Sequence, residues 1–146
     1  MAITKFLARD LTIEINTGTV GSPVWTGIGG LNSLTHSPSS SDAETTDFDS
    51  NGRAEHMKAE RGDSWALAGF HLEDVSLGTR DPGQAAVEAL AQAVGLTSLS
   101  QFKITSPGAN TITFSASAEV TLAGGGNNDA AAWAAALTVS GAVVYA

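Results

Sequence analysis

The residues able to do chemistry are few. There is no cysteine, so thiol nucleophiles, disulfides and cysteine-based zinc sites are excluded. His36, His56 and His71 could act as bases or metal ligands. None has a second ligand at the i+4 spacing that places two side chains on one helix face, and His71 reads as a packed or edge histidine on a strand. Serines are plentiful, yet no G-x-S-x-G elbow is present to expose a nucleophile. Gly124-Gly125-Gly126 lacks the Lys-Ser/Thr ending of a phosphate loop and joins two strands, so no helix N-terminus waits there for an anion. It reads as a linker.

One stretch matches a cation site in part. Asp47, Asp49, Asn51 and Gly52 follow the D-x-D-x-N-G opening of a calcium loop, where alternate oxygens surround a hard ion. The position that needs a bidentate Glu is Lys58, and neither flank is an amphipathic helix. An acidic turn with Asn51-Gly52 at its tip is the plainer reading. The surrounding charges are segregated. Asp42, Glu44, Asp47 and Asp49 contain no base among them. Arg53, His56, Lys58 and Arg61 follow, interrupted by Glu55 and Glu60. Such a pattern belongs to a solvated loop, or to a contact arm whose two halves meet opposite charges on neighbouring copies.

The elements that must carry these residues are mostly strands. Leu11, Ile13 and Ile15 alternate with polar residues, the period of a half-buried strand. Val24 to Leu34 is a short strand broken by Gly27, Gly29 and Gly30, a sign of a bulge or close backbone approach. His36 to Gly62 is expected to be a long polar loop, parts of which extend neighbouring strands where Thr45, Thr46 and Phe48 suit a sheet, mobile in an isolated subunit and ordered between subunits, with Phe48 and Met57 as apolar anchors. Trp65 to Leu72 is a strand apolar on both faces, hence central or at an interface. Asp81 caps a helix over about Pro82–Val94, with Pro82 at its first position, Gln84 three residues after the cap and Gly95 as the stop. Val87, Leu90, Ala91 and Val94 form its apolar stripe.

Gln101 to Thr105 is a short strand, followed by a turn at Pro107 to Asn110. From Thr111 to Leu122 the alternation is clean. Ile112, Phe114, Ala116, Ala118, Val120 and Leu122 face one way, and Thr111, Thr113, Ser115, Ser117, Glu119 and Thr121 the other. Trp133 to Tyr145 contains alanines that favour helix, but Leu137, Val139 and Val143 alternate with polar residues, so it is read as a strand with Gly141 as a bulge. The sum is a mainly β fold, a two-sheet sandwich or half-barrel with one flanking helix, in a single domain over 1–146.

Bulk properties agree. Hydrophobic residues make up 42% of the 146 and charged residues only 15%, against an average near 25% charged. A surface rich in small polar residues, or one covered by partners, follows. The net charge of −8 argues against a nucleic-acid reader, which carries a basic stripe. Met1 to Leu11 holds Lys5, Arg9 and Asp10 with no apolar core, unlike a secretory signal. The longest apolar run, Ala130 to Leu137, is too short to span a bilayer. Folding in a cytoplasm with no membrane anchor is expected.

The order of elements resembles a family. After the long polar segment come Trp65-Ala66-Leu67-Ala68-Gly69-Phe70, then Gly-x-x-Asp-Pro-Gly-Gln from Gly78 to Gln84. The strand pair LSQFKITSPGANTITFSASAEVT and a final strand with AALTVSGAVV follow. Over nearly the whole chain this layout resembles the major tail tube proteins of long-tailed bacteriophages. The resemblance implies a sandwich flanked by one helix, related to the tubes of contractile tails and type VI secretion systems. It implies hexameric rings stacked into a hollow tube in the virion tail, through which the genome is ejected without specific DNA binding. It further implies tape measure, tail terminator and distal tail proteins as partners, and neither enzyme activity nor cofactor. The hydroxyl-rich face of Thr111 to Thr121 would line the channel, since it offers phosphate no cationic anchor. The rival classes are a sandwich that recognises carbohydrate or a cell surface through Trp25, Trp65 or Trp133, and an enzyme, for which no catalytic constellation is present.

Overall fold

The computed structural model describes residues 3–146. Met1 and Ala2, the start of the segment read above as unlike a signal, lie outside the described residues. Nine strands and one helix follow in order. They are β1 (Thr12–Asn16), β2 (Trp25–Gly27), β3 (Leu31–Glu44), β4 (His56–Phe70), β5 (Glu73–Asp74), β6 (Thr79–Arg80), α1 (Pro82–Ala91), β7 (Ser100–Thr105), β8 (Thr111–Thr121) and β9 (Ala132–Tyr145). Seven of them make one antiparallel sheet in the order β2-β1-β7-β8-β9-β4-β3, and β5 and β6 form a small ribbon.

The connectivity dictates the shape. β2 and β3 sit on opposite edges of the sheet, yet only Ile28, Gly29 and Gly30 separate them. A flat seven-stranded sheet is roughly 29 Å wide at about 4.8 Å per strand. The four Cα steps from Gly27 to Leu31 reach about 14 Å at most. The sheet must therefore coil until its edges approach, and Leu11 and Ile13 of the β1 side share a groove with Leu31 and Leu34 of β3. The expected half-barrel with a flanking helix is found. Its two layers are the two arms of a single coiled sheet.

The apolar alternation places the core inside the coil. Ile13 and Ile15, Phe102 and Ile104, Phe114, Ala116 and Ala118, Leu67, and Trp133, Ala135 and Leu137 are all buried, and Val87 of α1 closes over them. Trp65, Phe114 and Phe102 stack in series at centroid separations of 5.9 and 5.8 Å. The final segment is strand throughout. Its register with β8 slips at Gly141, which has φ of 84°, so the bulge falls where expected.

Two expectations are corrected. First, His36 to Gly62 is not one long loop, since only residues 45–55 lie outside strands. Residues 36–44 and 56–62 are the outer halves of β3 and β4, paired from Leu31↔Gly69 to Glu44↔His56. A hydrogen-bonded ladder needs no apolar side chains, so it extends into a polar segment where no hydrophobic alternation marks it. Second, the helix stops at Ala91, short of Val94. The N–H groups of Gln92 and Ala93 donate to Ala89 and Leu90 carbonyls three residues back, tightening the last turn. Val94 is extended and exposed.

Candidate assembly surfaces

The hairpin β3–β4 carries every residue singled out for subunit contact. Asp42 and Glu44 lie near the end of β3, Asp47, Phe48, Asp49 and Arg53 in the tip, and His56, Met57, Lys58 and Arg61 at the start of β4. Between Asp42 and Arg61 only Ser50 is buried, so this arm packs on little else in the chain. Phe48 is fully exposed and Met57 is 66% exposed. The tip is shaped by local hydrogen bonds. The Thr45 N–H donates to the Glu55 carbonyl, and the Glu55 N–H donates to Thr46 Oγ1 at 2.8 Å. The Asp47 carboxylate accepts from the Asp49 N–H at 3.0 Å and from Ser50 Oγ at 3.1 Å. Asn51 and Gly52 turn the chain with φ of 52° and 78°, a left-handed pair suited to Asn-Gly.

The charge pattern is therefore placed differently from the expectation. Register sets Asp42 against Lys58 and Glu44 against His56 within the same hairpin. Asp42 and Glu44 thus have basic cross-strand neighbours within the hairpin, although neither forms an ion pair with them among the described residues.

The second surface is the convex face of the sheet. Thr111, Thr113, Ser115, Ser117, Glu119 and Thr121 all lie on one face of β8, opposite buried Phe114, Ala116 and Ala118. Register then extends this face across three further strands. Ser37, Ser64, Thr138 and Ser117 form one row; Thr35, Ala66, Ala136 and Glu119 the next; Ser33, Ala68, Ala134 and Thr121 a third. Glu119 is the single charge in those rows. Lys103 pairs with Thr113 and Glu14 with Lys103 on the adjoining strands, and the Lys103 ammonium sits 4.5 Å from the Trp25 ring centroid. A cation thus neighbours the β8 face, seated over an aromatic ring.

A third arrangement, missed in the sequence, ties the helix to the sheet. Gln84 is fully buried. Its amide donates to the Gly29 and Phe70 carbonyls at 3.0 and 2.7 Å and accepts from the Leu72 N–H at 3.1 Å. The expected cap is present, since the Asp81 carboxylate accepts from the Gln84 N–H at 3.0 Å, but the Gln84 side chain turns to the sheet instead of back to the cap. Arg80 makes a two-pronged contact with Glu88 at 2.9 and 2.6 Å, and buried Trp133 donates to Glu88 at 2.9 Å. The Arg80 hydrogen bonds hold the Glu88 carboxyl below its usual range against the opposing effect of burial, with Trp133 adding to the lowering. No signal of period or motif marks these partners. Only the Asp81-Pro82 cap was visible.

The chemistry-bearing candidates are dispersed. His36 contacts Asp63 at 2.8 Å and stacks on Trp65. His56 is exposed on the arm. His71 lies 3.7 Å from Glu73. No group of three or more acidic or histidine side chains among the described residues could hold a metal ion. Among the described residues no helix is long and apolar enough to cross a membrane. Trp133 is buried, while Trp25 and Trp65 are half-buried with a side chain over a ring face.

The fold is a coiled antiparallel sheet, one helix packed against it mainly at β8, and a long arm. The solved structures agree. A chain from the tail of an empty gene transfer agent particle, computed with C6 symmetry, superposes with a TM-score of 0.74 at 19% identity, over 97% of this chain and 99% of that one. A chain of the native gene transfer agent virion gives 0.70 at 16% identity, over 97% and 99%. A chain of the PVC sheath–tube complex, an extracellular contractile injection system in its extended state, gives 0.65 at 14% identity, over 97% and 91%. No family model and no curated protein matches the chain. At these identities the likeness is one of fold.

Proposed function

We propose that the chain is a structural virion protein, a tail tube subunit that closes into six-membered rings and stacks into the conduit for genome ejection. The observation that carries this is the convex face of small hydroxyl and methyl groups aligned over β3, β4, β9 and β8. A surface with so little charge and relief neither binds a phosphate backbone nor obstructs it. Ring closure also accounts for the free edge of β3, a strand of 14 residues. An open edge of that length invites pairing with another chain, and the next subunit would cover it. On this reading the other partners are the tape measure, terminator and distal tail proteins, the assembled site is the virion tail, and assembly takes place in the host cytoplasm. The carbohydrate-binding alternative needs accessible aromatic platforms, and the three tryptophans supply none that is fully exposed.

Electron microscopy of concentrated protein tests the reading. Stacked rings with a central channel are expected. A monodisperse monomer at every concentration, even with the tail's initiator complex added, would contradict it. The channel assignment has its own test. Glu119→Lys should leave rings intact and slow genome delivery by roughly tenfold or more, through phosphate attraction in a confined space. Delivery at the normal rate from normal rings would remove Glu119 from the channel wall.

A further inference from the structure

Among the described residues, the groove where the two ends of the coiled sheet meet has no occupant from its own chain. It is lined by Ala8, Leu11 and Ile13 on one side and Leu31 and Leu34 on the other, with Arg9, Asn32 and Ser33 as its polar lining, and holds about 150 Å³. An apolar cavity of about that volume accepts a benzene ring. Arg9 takes part in none of the ion pairs among the described residues. Its neighbour Asp10 is engaged locally by the Leu7 N–H.

The tip of the arm presents the complementary shape. Phe48 is fully exposed, an unusual position for a phenyl ring, and Asp47 and Asp49 flank it in sequence. Tip and groove lie at opposite ends of β3. From Leu34 to Glu44 the chain spans roughly 34 Å at about 3.4 Å per residue. Phe48 therefore cannot reach the groove of its own chain, but a copy displaced along the arm brings the two together.

We propose that Phe48 of one copy seats in the groove between β1 and β3 of the next, with Arg9 facing the acidic tip. The contact is heterologous: tip meets groove, and each copy keeps a free tip and a free groove. Such contacts close into a ring where the rotation between copies allows it and otherwise propagate as an open stack; displacement along the arm gives the open case. This rests on the tube reading and gives its axial contact a ring, a cavity and a charge pair. The axial repeat follows from the chain's own dimensions, roughly 34 Å of strand plus the turn at the tip.

The absence of cysteine makes a clean cross-linking test available. Ala8→Cys with Asp49→Cys keeps Phe48 and places one thiol at the groove and one at the tip, both exposed. Oxidation of the assembled double variant should yield a ladder of covalent multimers, and each single variant should yield none above a dimer. In parallel, Phe48→Ala should raise the concentration needed for assembly about tenfold or more, the effect of exposing a phenyl-sized apolar surface. Its monomer should melt as the unaltered chain does, and Phe48→Leu should fall between. Polymers that form without a ladder, or Phe48→Ala assembling at the unaltered concentration, overturn the contact and leave the tube reading in place. An unaltered chain that never polymerises removes both.

Discussion

Replacing Asp42–Ala59 by Asn-Gly, so that the hairpin closes at the Ser41↔Glu60 pair, should abolish assembly while leaving the monomer folded. Both halves of this outcome follow from where the arm sits. Every residue removed is at least partly exposed except Ser50, and Ser50 is buried by the tip itself through Asp47. None belongs to the apolar cluster inside the coil. The substituted turn has the chemistry that a two-residue hairpin prefers, so unfolding in urea should change by about 1 kcal/mol or less. The polymer, by contrast, loses Phe48, Met57 and the charged end of the arm together. On the tube reading contacts between copies are repeated at every subunit, and at about 1.4 kcal/mol per tenfold in affinity the loss of the aromatic proposed to be buried between copies, with its surroundings, is enough to prevent stacking at concentrations where the unaltered chain is expected to polymerise. Microscopy and sedimentation of the shortened chain decide the matter. Tubes of normal length from it would show that the arm is dispensable, and an unfolded product would show that the arm belongs to the core.

Gln84→Leu should be the most destabilising single change outside the aromatic core. The substitution conserves volume and is apolar in a fully buried position, so a count of hydrophobic area predicts a gain. Hydrogen bonding predicts the opposite. The Gly29 and Phe70 carbonyls and the Leu72 N–H lose their side-chain partner at once. Each buried backbone group left without a partner costs about 1–3 kcal/mol. Allowing for relaxation, a net loss of about 3–4 kcal/mol is expected, a fall in melting temperature on the order of 10 °C for a chain of this size. Gln84→Glu distinguishes the cause. It keeps the shape and the acceptor for Leu72, but removes the donors and turns a carboxylate toward two carbonyl oxygens, so it should be at least as damaging near neutral pH. Thermal and urea unfolding of both variants provide the measurement. A loss below about 1 kcal/mol for Gln84→Leu would mean that the three backbone groups find other partners, and that the helix is held by Val87 and the apolar contacts alone.

The two predictions probe different levels of legibility. What the amino-acid sequence determined by itself was local. The alternation in β1 and β8, the Asp81-Pro82 cap and the strand character of Ala132–Tyr145 are set by side-chain period and backbone preference over a few residues, and the structure has them in place. The mainly β class followed from their sum. The outer hairpin was not legible, because β3 and β4 are polar on both faces beyond the core and are held by their ladder. No period can announce such a strand. Nor could the helix end be read, since the apolar spacing continues to Val94 while the backbone leaves the helix after Ala91.

Tertiary structure alone decided three things. It coiled the sheet, because a three-residue link joins strands on opposite edges. It aligned Ser33, Thr35 and Ser37 in rows with Ala134, Ala136 and Thr138, so that small side chains dispersed along the sequence became one smooth face. It also brought Gln84 against Gly29, Phe70 and Leu72. Hydrogen-bond partners and register are properties of pairs brought together by the whole chain, and a sequence read residue by residue carries only one member of each pair.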